Sequence, residues 1–196
     1  MISKNDMHQY AERSRLLLRT RDFICLYPHP DLRSCVSSYN ITFPAQGLMP
    51  DGFTVLPGGC PALTVESDHK KLSVVLEGPA TKPYAVESQT KQLEMFITIE
   101  FRPAGLYALT GIGQSALTDE FLSFEAVHSK LSRRICEATE KAESVRELVD
   151  VLDRLLLESM RANIHPQLAQ TLGTMVRCDG NAAVKGLAED IHYSER

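Results

Sequence analysis

A chain of 196 residues with 43% hydrophobic and 23% charged positions has ample material for a packed core, which excludes wholesale disorder. Its formal net charge of −4 excludes a global attraction to nucleic acid or acidic membranes, so any DNA contact must be local. The cysteine total of 5 includes no C-x-x-C pair, and no apolar run approaches the roughly 20 residues of a membrane span, so reduced thiols, a cytoplasmic location and no membrane partner are expected.

Residues 1–26 are mixed and charged, and Leu16-Leu17-Leu18 is flanked by Arg15 and Arg19; this stretch is expected to be a peripheral leader with at most a short helix. Strand signals run from Pro28 to Phe101. Cys35, Ser37, Tyr39, Ile41 and Phe43 alternate with their neighbours, and Phe53-Thr54-Val55-Leu56 is closed by the turn Pro57-Gly58-Gly59. Short runs follow at 62–66, 72–76 and 84–88. The clearest strand is 93–101, where Leu93, Met95, Ile97, Ile99 and Phe101 share one face. Several such strands at short spacing predict an antiparallel barrel or sandwich.

Past Pro103 the period becomes helical. Val127, Leu131 and Ile135 recur every four residues behind a candidate N-cap, Ser123. Ser144-Val-Arg-Glu147 has the form of a capping box, and Leu148, Leu152, Leu155 and Leu156 then make one apolar stripe, with Val145 and Val149 alongside. A helical hairpin at about 124–160 is expected. The segment opening at His165-Pro166 carries Leu168, Ala169, Leu172, Met175 and Val176 at amphipathic spacing. Asp179-Gly180 should end it, and Asn181 is placed to cap a further helix bearing Val184, Leu187, Ala188 and Ile191. Ser194 is placed to cap another, of which Glu195 and Arg196 would be the first residues.

Two short helices separated by a tight turn have helix-turn-helix form. Leu187-Ala188, with Ser194 six residues past the alanine, resembles the L-A-x-x-x-G-x-S core of such motifs, with His192 standing in the glycine position. The order of motifs before it extends the likeness: Tyr27-Pro28, Leu32 and Val36 with Tyr39, Leu56-Pro57-Gly58, Gly78-Pro79 with Lys82-Pro83, then Phe101-Arg102-Pro103-Ala104-Gly105. This succession resembles the N-terminal domain of a subgroup of AraC-type transcription regulators over residues 27–196. The resemblance implies an α+β chain. It consists of a cupin-like β-barrel sensor (27–103), a helical part (104–163) that pairs two subunits, and an incomplete start of the helix-turn-helix domain (164–196). It also implies a homodimer, a possible small-molecule effector, and operator DNA as a partner of the full-length protein only. Ser194, Glu195 and Arg196 would open the DNA-reading helix.

Candidate site residues follow. Tyr39 and Met95 lie on inward strand faces, where core filling is the ordinary outcome and a pocket wall the functional one. Arg102 follows buried-face Phe101 at a strand end. It is expected either to pair with Glu100 or another carboxylate, or to meet an anionic effector. The second hairpin helix carries more apolar positions than one covering stripe needs, so Leu148, Val151, Leu155 and Leu157 are expected to form a dimer interface.

No catalytic residue, cofactor or metal is expected. The 6 histidines are isolated, none at i+2 or i+4 from another, whereas a metal needs convergent ligands. Two other classes stand as alternatives: a cupin-like small-molecule enzyme and a stand-alone protein-interaction module.

Overall fold

A computed structural model describes residues 1–44, 54–67, 71–85, 93–161, 164–178 and 180–191. The chain forms two units, Met1–Arg161 and Ala162–Arg196.

The first unit opens with α1 (Lys4–Gln9), started by a reciprocal capping box between Ser3 and Asp6. Strands β1 (Leu16–Arg19), β2 (Phe23–Leu26) and β3 (Val36–Thr42) follow. Next come β4 (Thr54–Val55), β5 (Ala62–Ser67), β6 (Leu72–Glu77), β7 (Tyr84–Ala85) and β8 (Met95–Phe101). A short helix α2 (Gly105–Thr110) and β9 (Phe121–Ser123) lead into the helices α3 (Phe124–Lys141) and α4 (Val145–Ser159).

Seven strands form one sheet in the order β1-β2-β3-β8-β5-β6-β9, and β4 and β7 form a separate two-stranded ribbon. Every neighbouring pair is antiparallel. The register aligns two apolar rows across the strands. One runs Leu26, Tyr39, Ile99, Leu63, Leu76; the other runs Ile24, Ile41, Ile97, Val65, Val74. All ten are buried. Each aliphatic member contributes about 1.5–3 kcal/mol by leaving water, and a one-residue slip would turn a whole row outward. Register is therefore firmly set.

Three expectations are corrected. The mixed α+β class and the antiparallel sheet are present, but among the described residues the sheet does not close into a barrel. Its edges, β1 and β9, are short strands with no pairing to each other. Closure is one way to bury an inward face; here the helical hairpin supplies cover instead, with α3 packed on β5, β6 and β9 and against α4. Residues 1–26 are no peripheral leader either: they supply α1 and two strands of the main sheet. Within β3, a bulge between Val36 and Ser38 resets the alternation, so Val36 is buried while Ser37 is only half-buried.

The hairpin forms as its periodicity predicts. Ser123 holds the N-cap position of α3 without a side-chain bond. The Ser144 hydroxyl accepts from the Glu147 N–H at 3.2 Å, but the Glu147 carboxylate reaches past Ser144 to the Glu143 N–H at 2.9 Å. The box is thus closed one residue further out than its pattern implies.

In the second unit α5 (Pro166–Arg177) begins with proline in its first turn, and α6 (Val184–Asp190) follows. Gly180 takes φ 77° and donates to the Met175 carbonyl at 2.8 Å, which turns the chain. Ala183, not Asn181, holds the N-cap position of α6. Ala188 is the buried residue of α6, and no residue of α5 is buried.

Candidate functional site

The turn Phe101-Arg102-Pro103-Ala104-Gly105 ends β8 and starts α2. Backbone bonds fix Arg102 from both sides: its N–H donates to Cys35 O at 2.8 Å, and its carbonyl accepts from Gly105 N–H at 2.9 Å. Proline locks the next φ. Ala104 then sits in the left-handed region at φ 63°, where a Cβ is disfavoured. Gly105 is pressed so closely on Cys35 that a Cβ there would lie 1.9 Å from the Cys35 carbonyl oxygen. Gln114 locks the turn from outside, its Oε1 accepting from Ala104 N–H at 3.2 Å.

This rigid frame leaves two donors unused. Arg102 Nε and Gln114 Nε2 are both buried and neither has a hydrogen-bond partner among the described residues. Glu100, the expected structural partner of Arg102, accepts from Asn40 Nδ2 through Oε1 at 2.9 Å and forms no ion pair with Arg102. No described carboxylate pairs with the Arg102 guanidinium. Cys60 senses the same neighbourhood: burial pushes its thiol up, Glu100 adds to the rise and Arg102 opposes it.

A second polar cluster behaves in the opposite way. Asp153, on the buried side of α4, accepts from the Tyr39 hydroxyl at 2.9 Å, from His29 N–H at 3.0 Å and from Arg15 Nη2 at 2.7 Å. Arg15 also donates to Asp150 Oδ1 at 3.1 Å and to the Tyr27 carbonyl at 3.0 Å. Burial, and after it the Asp153 carboxylate, hold the Tyr39 phenol well above its ordinary range. A shallow cleft of about 340 Å³ lies over this cluster, between Arg15, His29, Asp150, Arg154 and Leu157. Its charges are satisfied internally, so the arrangement reads as a fastening between sheet and helix.

Tyr39 and Met95 are buried core residues. Met95 and Arg102 do not converge: they lie at opposite ends of one strand, about 23 Å apart at the usual rise. Tyr39 belongs to the Asp153 cluster. Of the three proposed pocket residues, Arg102 alone keeps an unused functional group. Leu148 and Leu155 are buried within the first unit, Val151 is half-buried, and Leu157 is 38% exposed. Ser194, Glu195 and Arg196 lie outside the described residues.

Two functional side chains escaped the sequence reading. Asp153 left a signal: it stands four residues after Val149 and three before Leu156, which puts a carboxylate on the apolar stripe. Gln114 left none, because its role comes from a backbone contact beyond α2.

Fold and site together define a mixed α+β domain whose antiparallel sheet, open among the described residues, ends in a turn bearing an arginine that pairs with no described carboxylate. Residues 25–123, from β2 to the last residue of β9, match the family model described as a domain of unknown function (DUF6597), and the chain belongs to that family. No curated protein and no solved structure matches it. Among the described residues no helix is long and apolar enough to cross a membrane.

Proposed function

We propose that this chain is the effector-sensing part of a transcription regulator of the AraC type. The observation that carries the reading is Arg102: a half-buried cation held by a locked turn, and paired with no carboxylate among the described residues, stands where an anionic effector would be met. The succession of sheet, helical hairpin and a two-helix unit supports the same reading, since it is the order the family resemblance implies. In this reading operator DNA is contacted by the full-length protein. Residues 165–196 carry three Lys/Arg against four Asp/Glu, so this segment brings little attraction for phosphates by itself.

The test is fluorescence anisotropy with the full-length gene product and the DNA upstream of its own gene. Sequence-specific binding that weakens steeply with salt is expected. A coding sequence that stops at Arg196, or a full-length product that treats specific and random DNA alike, would remove the regulator reading.

A further inference from the structure

We infer that the cleft between β6 and α3 binds a small aliphatic amine, its ammonium group taken by the Ser132 hydroxyl and by carboxylates of α3. The cleft measures about 400 Å³ and is walled by Leu72, Ser73 and Val74 of the strand and by Ser132, Cys136 and Glu140 of the helix. That is within the size of small-molecule clefts, about 300–1,000 Å³. Ser132 is 4% exposed and lines this space. A helical serine or threonine ordinarily turns its hydroxyl back to the carbonyl four residues earlier, as Thr139 of the same helix does to Ile135 O at 2.9 Å. For Ser132 that residue is His128, where φ −149° and ψ 72° interrupt the helix. The Ser132 hydroxyl makes no hydrogen bond among the described residues. Nor is it sealed: the fully covered side-chain atoms without a partner, among those residues, are Arg102 Nε and Gln114 Nε2, so the Ser132 oxygen is open to the cleft.

The charge of the occupant follows from the wall. Glu125, Glu137 and Glu140 line the cleft against Lys71 and Arg133, so carboxylates outnumber cations. Glu125 and Glu140 form no ion pair among the described residues, and Glu137 has an exposed 3.7 Å contact with Lys141. The carboxylates bear on one place: burial first, and then Glu140, Glu125 and Glu137, push the Cys136 thiol up. Yet no three His, Cys, Asp or Glu side chains among the described residues are gathered closely enough for one metal ion. Charge spread in this way suits an organic cation. An ammonium brings three N–H donors, which the Ser132 oxygen and the carboxylates accept, and such charge-assisted bonds are the strong ones. Leu72 and buried Val74 give its methylenes an apolar floor. A neutral polyol would find the hydroxyl but gain nothing from the negative charge.

The cleft shares no lining residue with the Arg102 turn, so the assignment stands apart from the regulator reading and is tested without DNA. The full chain would be titrated with butylamine, 1,4-diaminobutane, tetramethylammonium, glucose and magnesium at matched ionic strength, by calorimetry and thermal melting. A saturable heat and a rise in Tm are expected with at least one of the two amines. Neither is expected with tetramethylammonium, which has no N–H to donate. Ser132→Ala should weaken amine binding about tenfold, as for one hydrogen bond to a charged group. Glu140→Gln, which keeps the shape and loses an exposed charge, should weaken it about threefold. If S132A fails to fold, E140Q carries the comparison. The assignment is overturned if neither amine saturates up to about 20 mM, or if folded S132A or E140Q binds as the wild type does. Tetramethylammonium, glucose or magnesium acting as well as the amines overturns it too, since charge screening or another ligand class then accounts for the effect.

Discussion

The Tyr39 hydroxyl donates to Asp153 Oδ1 across 2.9 Å, joining the sheet to the second helix of the hairpin at a point where both are buried. Tyr39 is the one polar-tipped member of the apolar row that crosses the sheet, and Asp153 is the one carboxylate on the buried stripe of α4. Each alone would be a fault in the core. Together with Arg15 they satisfy each other, which is how a polar group is tolerated among packed aliphatics.

Removing Asp153 should therefore be severe. Its side chain is 6% exposed and that of Arg15 12%, so Asp153→Ala leaves a nearly buried guanidinium without its main partner. A loss of about 3–5 kcal/mol in denaturant unfolding is expected. Tyr39→Phe removes one neutral donor and should cost about 1–2 kcal/mol. The double variant should lose less than the sum of the two. Strict additivity would mean that the bond contributes nothing.

High pH should loosen the fold through Tyr84. Burial first, and then the Glu77 carboxylate that accepts its hydroxyl at 3.4 Å, push this phenol up to about 12. The folded chain thus holds the proton more tightly than the unfolded one, whose tyrosine titrates near 10. The resulting stability is whole below pH 10 and is lost as pH rises toward 12. Tyr84→Phe should flatten this part of the stability curve. Tyr39 and Tyr10, also raised, keep a residual slope. Identical slopes in wild type and Y84F would refute the assignment.

The turn that carries Arg102 makes opposite predictions at adjacent residues. Gly105→Ala forces a Cβ to within 1.9 Å of the Cys35 carbonyl oxygen, and two backbone segments must part. A loss of about 2–4 kcal/mol is expected. Ala104→Gly relieves the left-handed residue at φ 63° and should stabilise by about 1 kcal/mol. Gly113, with φ −64° and nothing within 4 Å of a built Cβ, is the control: alanine there should be neutral or slightly stabilising. Thermal melts of the three variants give the ranking, and an A104G chain less stable than wild type would argue that the turn is not strained.

What could be read in the sequence was whatever one buried face imposes. Strand β8 was legible because Met95, Ile97, Ile99 and Phe101 alternate without interruption, and α4 because Leu148, Leu152, Leu155 and Leu156 repeat at helical spacing. Strand β1 was not. Leu16, Leu17 and Leu18 are consecutive, so they carry no period, and as an edge strand β1 leaves Leu17 and Leu18 exposed. An open rather than closed sheet depends on whether two distant edges pair, a long-range fact with no local pattern. Arg102 was legible by its place at a strand end, whereas Gln114 acquires its role only once α2 has brought it back to Ala104.

Pairing of two copies through α4 is the last point the structure bears on. The case for it was a surplus of apolar residues on that helix, and most of the surplus is used inside the first unit. Leu148, Val149, Leu152, Leu155 and Leu156 are all buried there. Half-buried Val151 and exposed Leu157 remain, flanked by exposed Asp150, Arg154 and Glu158, with Glu158 held by Arg134 at 2.7 Å. A stable interface buries about 800 Å² on each partner around an apolar centre, which one leucine and part of a valine do not supply. Leu157→Glu should therefore leave both the mass by light scattering and the circular dichroism spectrum unchanged at micromolar concentrations. A dimeric wild type that becomes a folded monomer in L157E would restore α4 as the pairing surface.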